Sequence, residues 1–127
     1  ESPEQFFSRA IFTYGHRNVV RAVAGGLSRS GSVDGYVWEV LNSVEPDLTA
    51  RTRIIARSEE LGFPPFVARS DRMGEPGVTA CAAALQGFDQ TDLGQAGLRL
   101  LFLDSVTAAE PSPFDGIAAR MAVLGGG

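Results

Sequence analysis

The residues with the clearest chemical potential lie at the junction Tyr14-Gly15-His16-Arg17-Asn18, which contains the only histidine of the chain. The run 10–14 before it is short and rich in β-favouring residues, and a helical pattern follows it. In open α/β sheets, ligands bind where a strand ends and a helix begins, because the helix N-terminus favours an anion. Tyr14, His16 and Asn18 are therefore candidate ligand contacts. The alternative is that His16 is an ordinary first-turn residue with a solvated ring.

A second junction of this kind is centred on Asp34, which follows the short β-favouring run 32–34 and precedes a helical pattern. Asp34 can cap that helix, which is the structural interpretation, or accept a hydrogen bond from a ligand, and the two roles are compatible. Tyr36 lies on the same helix and is a candidate cleft residue, although an aromatic side chain there more often serves packing.

A third candidate is Phe63, in the segment Gly62-Phe63-Pro64-Pro65. Two consecutive prolines hold the chain in a stiff, extended connection. This connection is either a rigid turn between strands or a cleft-lining hinge that places Phe63 against a ligand.

The composition argues against several other kinds of chemistry. One histidine and one cysteine give no metal-binding pattern, and without lysine there can be no phosphate-binding loop of the Gly-Lys-Ser/Thr type. No nucleophile elbow of the Gly-x-Ser-x-Gly type occurs. We therefore expect neither an enzyme nor a resident cofactor, and we expect Cys81, in the apolar run 78–85, to be a small buried side chain.

Charge and hydropathy bound the remaining possibilities. The chain has 127 residues and a formal net charge of -4, and its 11 basic residues, all arginine, form no cluster, which argues against nucleic-acid binding. No apolar run approaches the roughly 18–20 residues that would span a membrane.

The elements that would position these residues alternate along the first half of the chain. Helical spacing of apolar residues predicts helices from His16 to before Gly31 and over 37–44. Predicted strands cover the segments 10–14, 32–34, 52–56 and 65–69. Later helical patterns span the segments 78–85, 93–100 and 114–121. This order predicts an α/β fold with a parallel or mixed sheet and covering helices, left incomplete unless another segment or chain completes it.

The ordered series of segments resembles the second half of the phosphate/phosphite/phosphonate substrate-binding proteins of ABC transporters, which have a type II periplasmic binding protein fold. The resemblance covers roughly residues 5–124. It rests on the segments Phe6-Phe7, Phe12–His16, Val19–Leu27, Val33–Glu39, Pro46–Leu48, Thr52–Ser58, Gly62–Pro65, Leu100–Asp104 and Pro113–Ile117.

The resemblance implies a function and a division of the chain. Residues 1–57 would belong to the second, ligand-binding lobe, and residues 58–127 to the hinge return and the C-terminal helices of the first lobe. The family's anion-contacting histidine would be His16, and an acidic position would be Asp34. The protein would capture a small anion in an interlobe cleft outside the cytoplasm and deliver it to a permease. The alternative is a sensory domain that reuses the fold, and in either case an upstream half or a second chain would complete the sheet.

Overall fold

The computed structural model describes residues 3–108 and 112–123, and the regular structure in these ranges is helical, at 55% helix. The α-helices are α1 (Pro3–Phe6), α2 (His16–Ala24), α3 (Gly35–Val44), α4 (Pro46–Thr49), α5 (Pro76–Gln86), α6 (Asp92–Leu101) and α7 (Asp115–Val123). Short 3₁₀ turns occur at Ser70–Arg72, Phe88–Gln90 and Ser112–Phe114. No described helix has the length and apolar character needed to cross a membrane.

The predicted α/β fold is wrong, because the described residues contain no strand and hence no sheet. The segments 10–14, 32–34, 52–56 and 65–69 carry no regular secondary structure. Their β-favouring composition biases the local backbone, but a strand exists only when its N–H and C=O groups bond to a neighbouring strand. No such ladder forms within the described part of the chain.

The helices follow the apolar spacing more closely. Helix α2 begins at His16 and ends before Gly31, as predicted; it ends at Ala24 because the next two residues are glycines. Gly26 has a φ of 77°, and the Leu27 N–H donates to the Ala22 carbonyl at 2.9 Å, which closes the helix end. Helix α3 ends before Glu45 and Pro46. Pro46 is then the first residue of α4, a position that favours proline. The later patterns are confirmed as helices: 78–85 and 93–100 lie within α5 and α6, and 114–121 covers the last residue of the turn Ser112–Phe114 and most of α7.

The chain divides into two compact units, Glu1–Ser58 and Glu59–Gly127. Helices α2, α3 and α4 pack together in the first unit, and α6 packs on the turn Phe88–Gln90 in the second. The assignment of the two parts to two lobes remains a prediction. The buried residues of the first unit are Val20, Ala22, Leu41 and Thr49, and those of the second are Gly94 and Leu98.

Thr49 is the buried polar residue of the first unit, at 2% exposure. Its Oγ1 lies 2.8 Å from Asn42 Oδ1 and 3.1 Å from the Pro46 carbonyl, so the buried hydroxyl has acceptors on both α3 and α4. A buried hydroxyl without a partner would be costly, and these contacts therefore help to fix α4 against α3.

Many large apolar side chains outside this small core are exposed. The accessible surface is 10411 Å², whereas a compact monomer of this mass exposes about 6,500 Å², and two separate compact domains of half the mass about 7,800 Å² together. Phe12, Phe66 and Val67 are each at least 74% exposed. Cys81 is exposed as well, so its predicted burial is wrong, and α5 contributes no buried residue.

We predict that Gly94→Ala destabilises the second unit by about 1–3 kcal/mol, because a Cβ there would overlap the Phe88 carbonyl oxygen. Gly77→Ala is the matched control, since its Cβ would meet nothing within 4 Å. Urea unfolding followed by circular dichroism would compare them. Equal midpoints for the two variants would contradict the close backbone approach at Gly94.

We also predict that the 127-residue chain, on its own, binds an apolar dye strongly and self-associates as its concentration rises, because its accessible surface exceeds that of compact domains and includes many large apolar side chains. Dye fluorescence and light scattering would measure this. A monodisperse monomer that melts cooperatively and leaves the dye unbound would contradict it.

Candidate functional site

A cleft of about 550 Å³ lies at the start of α2 in the first unit. Residues 11–15 form one part of its wall, the serines of 28–32 another, and α2 contributes Val19 and Ala22. Its lining residues are Ile11, Phe12, Thr13, Tyr14, Gly15, His16, Val19, Ala22, Ser28, Ser30, Gly31 and Ser32.

His16 is the first residue of α2 and lines this cleft. Its Nδ1 accepts a hydrogen bond from the backbone N–H of Asp34 at 3.2 Å. A nitrogen that accepts carries no hydrogen, so the neutral imidazole has its hydrogen on Nε2. The side chain therefore offers a donor, in a ring whose orientation the Asp34 backbone helps to fix.

Asp34 itself is the N-cap of α3. Its Oδ1 accepts from the Val37 backbone N–H at 3.0 Å, and its backbone is extended, as in a regular cap. The half-buried carboxylate is not among the groups that line the cleft. Asp34 therefore caps α3, as the structural interpretation predicts, and its backbone N–H orients His16.

The loop before α2 is held by its own side chains. Asn18 Nδ2 donates to the Thr13 carbonyl at 2.9 Å, and Thr13 Oγ1 donates to the Gly15 carbonyl at 3.2 Å. Between them Tyr14 adopts a φ of 58°, a left-handed conformation that costs a non-glycine residue about 1–2 kcal/mol. The loop bonds maintain this strained backbone, and Tyr14, a residue that is 97% exposed, is among those that line the cleft.

The six predicted site residues thus separate into groups. Tyr14 and His16 line the cleft. Asn18 donates to the Thr13 carbonyl in the loop before α2, and the Asp34 backbone N–H donates to His16. Tyr36 lies half-buried on α3 and does not line the cleft. Phe63 belongs to the second unit, where its side chain is 48% exposed.

Three serines were missed by the sequence reasoning. Ser28, Ser30 and Ser32 all line the cleft, and the Ser28 hydroxyl donates to the Ser30 carbonyl at 2.7 Å. The signal in the sequence was their occurrence at every second position, although the segment bends at residue 29 and forms no strand. The cleft therefore has a row of neutral hydroxyl groups in addition to the His16 donor.

A bidentate ion pair joins the start of α2 to Glu45, the residue that follows the C-terminal end of α3. Arg17 Nε and Nη2 donate to the Glu45 carboxylate at 2.6 and 2.8 Å. The hydrogen bond raises the pKa of Arg17 and lowers the pKa of Glu45, with smaller Coulomb contributions in the same directions. At the opposite end, Arg51 Nη2 donates to the Ala24 carbonyl at 2.6 Å, so both ends of α2 are held.

None of the described residues that line the cleft carries a carboxylate, a guanidinium or an ammonium group. Within the described ranges, no group of three or more His, Cys, Asp or Glu residues could hold a metal ion. The arrangement is suited to binding a small polar solute through hydrogen bonds and helix dipoles.

Comparison with known protein families gives one match, to the model described as ABC transporter, phosphonate, periplasmic substrate-binding protein, over residues 1–114. No curated protein matches the chain.

For Asp34, we predict that replacement by Ala lowers the free energy of unfolding by about 1 kcal/mol, because α3 loses its side-chain cap. Asp34→Asn should be nearly neutral, since an amide oxygen caps about as well. Thermal melting followed by circular dichroism would compare the two variants. If Asp34→Ala melted at the temperature of the unaltered chain, the observed cap would carry no stability.

Proposed function

The chain belongs to the family of periplasmic substrate-binding proteins of phosphonate ABC transporters, and we propose that it captures a small phosphonate-like or phosphate-like anion in the cleft beside α2. Proteins of this family work outside the cytoplasm, bind a small molecule and deliver it to an ABC permease, and they are generally not enzymes. Transport of the solute is accordingly the activity that we assign.

The observation that carries the proposal is the hydrogen bond from the Asp34 N–H to His16 Nδ1. It leaves Nε2–H as the donor of a residue that opens α2 and lines the cleft. The unpaired N–H groups of a helix N-terminus and the positive end of its dipole favour an anion at the same place. An oxyanion at this point would accept hydrogen bonds from both sources.

The charges near the site support binding of the anion by hydrogen bonds rather than by a salt bridge. Arg17, the nearest cation in sequence to His16, is engaged by Glu45 in a bidentate pair. The anion would thus be held by neutral donors, as in a site that must release its solute to a permease. No covalent step is needed, and capture consists of desolvation and hydrogen bonding.

Closure over the solute forms the second part of the proposal. We infer that a second lobe covers the mouth of the cleft, with residues 1–57 as the ligand-binding lobe and residues 58–127 as the hinge return and part of the other lobe. The large exposed apolar surface supports the presence of further polypeptide surface in the working protein. Tyr14, Asn18, Asp34, Tyr36 and Phe63 would then contribute to the site or to its support.

We predict that His16→Ala weakens the binding of methylphosphonate by about 1–3 kcal/mol, because the anion loses one hydrogen-bond donor. An NMR titration of the 127-residue chain with methylphosphonate would measure the dissociation constant.

The matched variants are His16→Asn and His16→Gln. An Asn oxygen at the Nδ1 position keeps an acceptor for the Asp34 N–H, whereas a Gln amide extends towards the Nε2 position and keeps a donor for the anion. His16→Gln should therefore retain more affinity than His16→Asn. Unchanged affinity in all three variants would exclude His16 from the site.

A further inference from the structure

We propose that the cleft selects phosphonates whose carbon substituent is uncharged, alkylphosphonates over aminoalkylphosphonates. This inference rests on the proposed function and names the class of solute that the same cleft accepts. It follows from the types of residue that line the cleft and from the groups to which the neighbouring carboxylates are bound.

The lining has one polar part and one apolar part. His16 and the serine row supply neutral hydrogen-bonding groups, whereas Ile11, Phe12, Val19 and Ala22 supply apolar surface. An alkyl group on the solute would be removed from water against these four side chains, which is favourable in proportion to the apolar area buried. The oxyanion end of the solute would remain at the start of α2.

An ammonium group in the same position would lose hydration without meeting an opposite charge. None of the described cleft-lining residues is acidic, and the two carboxylates nearest in the hydrogen-bond network of α2 do not line the cleft. The charge of Glu45 is paired with Arg17 in a bidentate contact, and the Asp34 carboxylate is turned to the start of α3, where it accepts from the Val37 N–H. Serine hydroxyls can accept a hydrogen bond from an ammonium group, but they do not neutralise its charge.

The test compares n-propylphosphonate with 2-aminoethylphosphonate, which have the same number of heavy atoms and differ by a terminal methyl or ammonium group. Both are titrated into the 127-residue chain and followed by NMR, with inorganic phosphate as a third probe. We expect n-propylphosphonate to bind about tenfold more tightly than 2-aminoethylphosphonate.

The outcomes separate this inference from the function on which it rests. Equal affinities, or tighter binding of 2-aminoethylphosphonate, would overturn the selectivity and leave phosphonate capture standing. Failure of both phosphonates and of phosphate to bind would overturn the proposed function, and the selectivity with it.

A variant provides an independent check at Ser30, an exposed cleft residue whose carbonyl, rather than its side chain, accepts from Ser28. Ser30→Asp places a carboxylate in the cleft wall, and Ser30→Asn is the uncharged control of similar size. We expect the ratio of the two dissociation constants to shift about tenfold towards 2-aminoethylphosphonate in Ser30→Asp and to change little in Ser30→Asn. Any repulsion between the new carboxylate and the phosphonate group affects both solutes equally and cancels in the ratio. Equal ratios in the two variants would overturn the proposal.

Discussion

The hydrogen bond between the Asp34 backbone N–H and His16 Nδ1 is the contact on which the cleft depends. It joins the first residue of α2 to the N-cap of α3, although the two residues are 18 positions apart. The same bond fixes which imidazole nitrogen carries the hydrogen, so it determines both where α2 begins relative to α3 and what His16 can donate. The Arg17–Glu45 pair at the other end of α3 is a second constraint on the same helix start.

The sequence predicted that His16 and Asp34 lie close together, but it predicted the wrong fold around them. His16 and Asp34 each stand where a helical pattern begins, and local signals such as a capping residue and apolar spacing identify such starts well. The predicted strands failed because β-pairing depends on a partner that composition cannot supply, and the described residues hold no such ladder. Helix packing of α2 on α3, rather than the edge of a sheet, brings the two residues together.

The serine row shows a different limit of the sequence. Ser28, Ser30 and Ser32 look like an ordinary polar loop until the chain folds back beside Tyr14 and His16 to form the cleft. This arrangement depends on contacts between segments distant in sequence, which local composition does not report. Phe63 lies in the other compact unit, and its contribution to the site stays a prediction.

The central claim is that the neutral form of the His16 imidazole carries its hydrogen on Nε2, because Nδ1 accepts from the Asp34 N–H, and that this Nε2–H is directed at the anion. The most direct measurement is a ¹⁵N–¹H correlation spectrum of the histidine ring, which reports the tautomer from the nitrogen shifts and the ring couplings. The account predicts, at a pH where the ring is neutral, a dominant Nε2–H tautomer with Nδ1 as an acceptor, and a change in the Nε2 signal when methylphosphonate is added. A dominant Nδ1–H form, or a ring unaffected by the anion, would contradict it.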